Sequence, residues 1–167
     1  FDQGDSSAYR RGEACAITTY SGLFNSGHYF DEVNTIVLDD AHAAESYIAD
    51  HWSLHIKADD EPAMFDKMAE LIAPLLGDAD ASRMLAEWEP RDGASWSQKI
   101  ASSELVNITD QIRSLLDVHT TASNLIWPWR VVRDHLHACH LYVGSKELLL
   151  RPIIPPTWTL PAFSNAS

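Results

Sequence analysis

The sequence contains only two cysteines, Cys15 and Cys139, among 167 residues. That number excludes a disulfide framework and favours a reducing compartment. No apolar run approaches the roughly 20 residues that a membrane-spanning helix needs, so we expect no membrane partner and a cytoplasmic location. The pattern G-x-x-x-x-G-K-[ST] occurs nowhere, which excludes a phosphate-binding loop of that type from this chain.

Cations are scarce in the middle of the chain. Residues 31–92 hold sixteen Asp and Glu against four Lys and Arg, whereas the other residues hold eight of each, so this stretch carries the whole net charge of −12. Affinity for nucleic acid comes largely from cations that replace the counterions of phosphates. We therefore expect any contact with nucleic acid to come from the residues on either side of this stretch.

The composition is otherwise typical of a globular domain, with 46% hydrophobic and 22% charged residues. Two short apolar runs, at residues 14–18 and 35–38, have the pattern of strands that are covered on both faces. A helix is expected from residue 41 to about residue 56. The short spacing of the two runs, with a crossover between them, predicts the beginning of an α/β fold with a parallel sheet.

Helical patterns dominate from about residue 50 to residue 140, and Pro62 is placed to begin one of the helices. A long helix, or two, is expected over residues 96–118. After residue 140 the pattern changes, and the residues around Gly144 and Ser145 predict a hairpin. We therefore predict three regions: a sheet-forming core at residues 1–48, a helical insertion at 49–140, and a return to the core at 141–167.

Two carboxylates follow the second apolar run, in the segment Thr35-Ile36-Val37-Leu38-Asp39-Asp40-Ala41-His42. In open α/β sheets, ligands bind at the carboxyl ends of the strands. A carboxylate there can hold Mg²⁺ through its water shell, and a second carboxylate can orient or deprotonate an attacking water. The segment therefore has the chemical content of a Walker-B element.

Three segments together resemble a known family. Ile36-Val37-Leu38-Asp39-Asp40-Ala41-His42 looks like motif II of the superfamily-two DEAD/DEAH-box helicases. Residues 16–25 are similar to the hydroxyl-rich turn that precedes motif II, and residues 149–155 are similar to the segment that returns the chain to the motor core before motif III. The layout resembles that of repair helicases with an arch between motifs II and III. It implies a partial RecA-like parallel sheet with a mainly α-helical insertion.

The resemblance implies an ATP-dependent helicase or translocase that couples hydrolysis of Mg-ATP to movement on nucleic acid. The arch-like layout favours single-stranded DNA over RNA as the partner. Asp39 would bind Mg²⁺, Asp40 would activate the attacking water beside the nucleotide, and His42 would couple the nucleotide site to motif III. The residues that would contact the sugar-phosphate backbone are Thr18, Thr19 and Ser21.

The sequence departs from the family pattern in several ways. Asp40 stands where the family has Glu and is one methylene shorter, and catalytic geometry is sensitive to shifts of about 1 Å. The phosphate-binding loop and the Ser-Ala-Thr of motif III are absent, and two cysteines cannot hold an iron–sulfur cluster that takes four. The chain also begins with Phe1 rather than Met. We therefore expect a part of the first motor lobe that is inactive without the missing motor segments of its parent.

Other interpretations of the acidic segment remain open at this point. Asp39 and Asp40 could simply cap the helix that follows them. The chain could also be a non-catalytic, acidic, helical interaction module that docks a basic partner. A third alternative is a metal hydrolase built on Asp39, Asp40 and His42.

Two further clusters contain side chains that could bind a ligand. The first could bind single-stranded nucleic acid, because bases stack on aromatic rings and phosphates contact cations; its members are Trp127, Trp129, Arg130 and Arg133. Arg130 and Arg133 would contact the phosphates. Tryptophans at the start of a helix are, however, more often core residues. A zinc site is the second alternative, set against half-buried histidines on packed helices. Its candidate ligands are His51 and His55, one helical turn apart, and the group His135, His137, Cys139 and His140.

Overall fold

A computed structural model describes residues 6–24, 30, 33–85 and 96–165 of the chain. The chain divides into two compact units. Unit 1 comprises Phe1–His51 and Pro156–Ser167, and unit 2 comprises Trp52–Pro155. Unit 2 therefore interrupts unit 1 in the sequence.

The regular elements described in unit 1 are helices, and unit 2 combines helices with a sheet. In unit 1 the helices are α1 (Ser6–Arg10), α2 (Tyr20–Leu23), α3 (Ala41–His51) and α9 (Pro161–Asn165), with a 3-10 turn at Thr157–Thr159. In unit 2 the order is β1 (Leu54–Lys57), α4 (Pro62–Ile72), a 3-10 turn (Ala73–Leu75), α5 (Asp78–Leu85), β2 (Ser97–Ile100), α6 (Ser102–Leu105), a 3-10 turn (Val106–Ile108), α7 (Thr109–His119), α8 (Ile126–Val132), a 3-10 segment (Arg133–Ala138), β3 (Cys139–Gly144) and β4 (Glu147–Pro152).

The sheet of unit 2 has four strands in the order β1-β4-β3-β2, and every neighbouring pair is antiparallel. The hairpin β3–β4 lies at its centre, in the register that pairs Leu141 with Leu150. Successive residues of a strand point to opposite faces. One face is apolar and buried, and its members are Leu54, Ile56, Ile100, Cys139, Leu141, Val143, Leu148 and Leu150.

Helices cover this apolar face and complete the core. Helix α4 begins with Pro62 at its first turn, as predicted, and packs against β1 and α7. Its buried side chains recur at helical spacing, so a single stripe faces the core: Met64, Phe65, Met68, Ala69 and Ile72. Helices α7 and α8 add further buried side chains to the same cluster: Ile112, Leu116, Trp129 and Val132.

The structure confirms a mixed α and β composition and the hairpin around Gly144, but it does not support the predicted RecA-like parallel sheet. Residues 14–18 and 35–38 are not strands, and Ile17 and Val37 are 97% and 88% exposed. An apolar run of four or five residues forms a strand only if a neighbouring strand pairs with its backbone. The described residues provide no such neighbour for either run.

Two helix predictions were also wrong. The helix expected from residue 41 to about 56 ends at His51, and the next residues form β1, which pairs with β4. Residues 97–100, expected to begin a long helix, form β2, which pairs with β3. In both places pairing with a distant strand overrides the local helical pattern, because the strands gain hydrogen bonds that the sequence pattern cannot reveal.

The position of Cys139 on the buried face predicts a difference between the two thiols. Burial raises the pKa of Cys139 to about 12, and its Sγ donates to the carbonyl of His135 at 3.3 Å. Since the thiolate is the reactive form, we expect Cys139 to react with a disulfide reagent at pH 8 roughly 10³-fold more slowly than an ordinary thiol. Cys15 is exposed and should react at once.

Titration of the native protein should therefore count one fast thiol, and titration in denaturant should count two. The variant Cys15→Ser should show no fast thiol, and Cys139→Ser should keep it. Two fast thiols in the native protein would contradict the burial of β3.

Candidate functional site

The paired acids lie at the beginning of helix α3. Asp39 and Asp40 are exposed and directly precede Ala41, the first residue of the helix. The carboxylate of Asp39 has no hydrogen bond or ion pair with any described residue. Both acids therefore present carboxylate oxygens to solvent at one end of a helix.

Asp40 has a second role as the cap of this helix. Its backbone φ is 53°, in the left-handed region, which Asp tolerates better than most residues. Its carbonyl accepts from the amides of Ala43 and Ala44 at 3.0 and 3.3 Å, and its Oδ1 lies 3.4 Å from the amide of Ala43. Capping engages only one carboxylate oxygen, so Oδ2 is left without a partner among the described residues.

A tyrosine joins the acidic segment to the upstream turn. The hydroxyl of Tyr20 donates to the carbonyl of Asp39 and lies 3.1 Å from the carbonyl of Asp40. Tyr20 begins helix α2, so the turn that contains Thr19 and Ser21 lies beside the acids, although Asp39 follows Tyr20 by nineteen positions in the sequence. The structure thus brings together two segments that the sequence analysis singled out separately.

The hydroxyl groups of the upstream turn are arranged around the start of α2. Thr19 caps this helix, because its Oγ1 accepts from the amide of Gly22 at 3.3 Å, and it also lies 2.9 Å from the Oγ of Ser21. Both residues are exposed. The Oγ1 of Thr18 is buried and has no hydrogen-bond partner within the described part of the chain. His42 is exposed in the first turn of α3.

An aromatic cluster supports this arrangement. Phe24 is fully buried and stacks on Phe163 of α9, with ring centroids 5.3 Å apart and an interplanar angle of 7°. Tyr47 of α3 lies 5.9 Å from the ring of Phe24, and His51 lies 6.5 Å from it. Burial lowers the pKa of His51. The rings tie α2, α3 and α9 together within unit 1.

This aromatic cluster was not predicted, although the sequence contains a signal for it. Tyr20 and Phe24 are four residues apart, as are Tyr47 and His51, and residues at that spacing share one face of a helix. When two helices that each present such a pair lie side by side, the rings of one pair can pack between those of the other.

The structure places some members of the tryptophan and arginine cluster at the surface and others in the core or in an ion pair. Trp127 is 60% exposed, and the guanidinium of Arg130 lies 4.9 Å from its ring centroid, in a cation–π contact. Trp129 is buried in the core of unit 2. Arg133 is engaged with Asp117, to which its Nε and Nη2 donate at 2.7 and 2.8 Å. Trp127 and Arg130 remain at the surface, and Arg133 is committed to a carboxylate.

Asp117 predicts a pH dependence of stability. Hydrogen bonds from Arg133, and secondly from the indole of Trp129 at 2.8 Å, hold the pKa of this carboxyl at about 2, although burial opposes them. A pKa below the ordinary value of 3.8 means that the unfolded state binds more protons in this range. The stability that Asp117 contributes is therefore present above pH 4 and is lost as the pH falls to about 2.

We expect the urea midpoint of the wild type to exceed that of Asp117→Asn at pH 7, and the gap to close between pH 4 and pH 2. Asp110→Asn is the matched control, since Asp110 is almost fully exposed and pairs with one nitrogen of Arg113. A gap that persists unchanged at pH 2 would contradict the contribution of the charged pair.

The histidine and cysteine candidates do not assemble a metal site. His51 ends α3 and His55 lies on β1, so they do not share a helix face as the sequence suggested. The Nδ1 of His140 accepts from the amide of Ser102 at 3.1 Å, and Cys139 is buried in the core. Within the described ranges no group of three or more His, Cys, Asp or Glu is arranged to hold a metal ion.

Asp39 and Asp40 follow residues that are not a strand, so they do not lie at the carboxyl end of a sheet as the Walker-B interpretation expected, and only their carboxylate chemistry matches a site for Mg-ATP. Mg²⁺ binds one or two protein carboxylates together with water and substrate phosphates, and Asp39 and Asp40 offer such oxygens. The glycine-rich loop and its lysine, which would cradle the phosphates, do not occur in the sequence. Residues outside this chain would have to supply that cradle.

Comparison of the chain with models of protein families, with curated proteins and with solved structures gives no significant match. None of the helices in the described part of the chain has the length and apolar character required to cross a bilayer.

Proposed function

We propose that this chain belongs to the first motor lobe of an ATP-dependent helicase or translocase that acts on single-stranded DNA. In this proposal Asp39 holds Mg²⁺ through water, Asp40 orients the attacking water, and His42 connects the nucleotide site to the nucleic-acid site. The bound Mg-ATP supplies the phosphoryl group and a metal that neutralises charge on it. The chain alone lacks the phosphate cradle and should not hydrolyse ATP.

The observation that carries the proposal is the contact of Tyr20 with the carbonyls of Asp39 and Asp40. A motor must couple hydrolysis to movement, so the residues that sense the nucleotide must lie close to those that contact nucleic acid. The hydroxyls of Thr19 and Ser21 lie one residue on either side of Tyr20. This contact would let a shift of the acidic segment reach the turn directly.

The position of unit 2 in the sequence is a second support. The acids precede unit 2, and the segment that resembles the approach to motif III, residues 149–155, forms the end of unit 2. A compact unit therefore begins after the segment that resembles motif II and includes the approach to motif III. An inserted domain of this kind can be accommodated because a domain with its own core needs few contacts at its boundaries.

The experiment that tests the proposal compares two proteins: residues 1–167, and the longer natural chain that includes them. We measure phosphate release from ATP with and without single-stranded DNA. The expected result is no hydrolysis by residues 1–167 and DNA-stimulated hydrolysis by the longer chain. The sequence of the longer chain should contain a G-x-x-x-x-G-K-[ST] loop upstream of residues 1–167 and Ser-Ala-Thr downstream of them.

A longer chain without the phosphate-binding loop, or one that hydrolyses no ATP, would overturn the proposal. That outcome would favour the non-catalytic interaction module, whose feature in the sequence is the excess of acids over residues 31–92. Stoichiometric transition metal in purified residues 1–167 would instead favour a metal hydrolase.

A further inference from the structure

The sheet of unit 2 has an outer face, opposite its apolar face. We define the outer sheet face by eight of its side chains, which are His55 and Lys57 of β1, Glu147, Leu149 and Arg151 of β4, His140 and Tyr142 of β3, and Lys99 of β2. The register places His55, Leu149, Tyr142 and Lys99 in one row that crosses all four strands.

The charge of this face is opposite to that of the chain. Three permanent cations and two histidines share it with a single carboxylate, whereas the chain as a whole has twice as many acids as bases. The one carboxylate, Glu147, lies 3.0 Å from His55. Lys57, Lys99 and Arg151 have no ion pair with any described residue, so their charges are available to an external anion.

An aromatic ring lies in the middle of these cations. Tyr142 is 38% exposed on a central strand, and the ring of His140 approaches it edge-on, with centroids 6.4 Å apart. Neighbouring strands are about 4.8 Å apart, so Lys99 lies directly beside Tyr142 and Arg151 lies directly beside His140. Flat rings between cations bind single-stranded nucleic acid, because bases stack on the rings while phosphates meet the charges.

We propose that the outer sheet face binds single-stranded nucleic acid, with a base stacked on Tyr142 and flanking phosphates on Lys99 and Arg151. This surface is distinct from the turn at Thr19 and from the pair Trp127 and Arg130. The inference deepens the proposed function, since it rests on nucleic acid as the partner and assigns unit 2 a share of the binding. A strand bound on this face would contact residues of unit 2.

The test measures binding of residues 1–167 to a fluorescent oligo(dT), with oligo(U) in a parallel arm, by fluorescence anisotropy. Because no ATP is involved, the result is independent of whether the parent protein is a motor. We expect Lys99→Gln with Arg151→Gln to weaken binding at least tenfold. The slope of log K against log salt should fall by about 1.4, at roughly 0.7 for each lost phosphate contact.

Tyr142→Ala should weaken binding by about tenfold without a change in that slope, since stacking does not depend on counterions. Tyr142→Phe should bind like the wild type, which separates stacking from the hydroxyl. Lys67→Gln is the matched control, because Lys67 is exposed on α4, which covers the apolar face of the sheet and not the outer sheet face, and it should bind normally. Circular dichroism of each variant checks that the fold is retained.

Equal affinity of the folded double variant and the wild type would overturn the inference, and so would wild-type affinity of Tyr142→Ala. A preference of this face for an acidic protein over either oligonucleotide would also overturn it. Stronger binding of oligo(U) than of oligo(dT) would keep the site but assign it to RNA.

Discussion

Replacement of Asp39 or Asp40 by Asn in the longer protein is expected to lower DNA-stimulated ATP hydrolysis by about 100-fold or more, since positioned acids and bases contribute 10²–10⁴-fold. Asn removes the charge that holds Mg²⁺ or accepts a proton from water, but keeps the size of the side chain. Asn also caps helices as well as Asp does and tolerates the left-handed φ of 53° at residue 40. The loss should therefore appear in the rate of hydrolysis without a loss of stability.

The matched control is Asp59→Asn, which changes an exposed acid in the turn after β1 and should leave hydrolysis unchanged. Unfolding in urea should give the same midpoint for all three variants. If both Asp39→Asn and Asp40→Asn hydrolyse ATP at the wild-type rate, neither carboxylate acts in hydrolysis, Asp40 has only its capping role, and the proposed magnesium site is wrong.

The second large effect concerns the core of unit 2. Leu141→Ala is expected to lower the free energy of unfolding by about 3 kcal/mol, within the range of 2–5 kcal/mol for buried leucines. Leu141 is fully buried at the centre of the sheet, where it pairs with Leu150 on one side and Ile100 on the other. The shorter side chain would leave a cavity between Leu150 and Ile100. The strands that carry these residues cannot move together to fill it without breaking their register with β3.

Urea denaturation followed by tryptophan fluorescence measures this effect, since Trp129 lies in the same core. Val118→Ala is the control, because Val118 is 71% exposed, and a change within about 0.5 kcal/mol is expected. A loss below 1 kcal/mol for Leu141→Ala would mean that β3 does not occupy the middle of the sheet.

The parts of the fold that were predictable from the sequence are those with strong local signals. Pro62 and the apolar stripe that follows it define α4, and alternation around Gly144 and Ser145 defines the hairpin. Strands β1 and β2 were not predictable, because each has four residues within a helical pattern and exists only through pairing with a strand far along the chain. The relevant hydrogen bonds are a tertiary property that no local window contains.

The candidate site was likewise predictable only in part. The sequence singled out Asp39 and Asp40 and the hydroxyl-rich turn upstream of them, and the roles of the two acids toward Mg²⁺ and water stay a prediction. It could not show that the hydroxyl of Tyr20 would join the two, because that contact spans nineteen residues. Nor could it show that Arg133 would be engaged by Asp117, sixteen residues away, while Arg130 stays at the surface. Which of two similar arginines is available depends on the packing of α7 against the segment after α8.

The central claim is that Asp39 and Asp40 lie beside a magnesium-bound nucleotide in the intact protein. Iron-mediated cleavage measures this directly, since Fe²⁺ can replace Mg²⁺ with ATP and, with ascorbate and peroxide, cuts the backbone close to the metal. We predict an ATP-dependent cut within residues 36–43 that excess Mg²⁺ suppresses and Asp39→Asn abolishes. ATP-dependent cuts confined to other parts of the protein would contradict the claim.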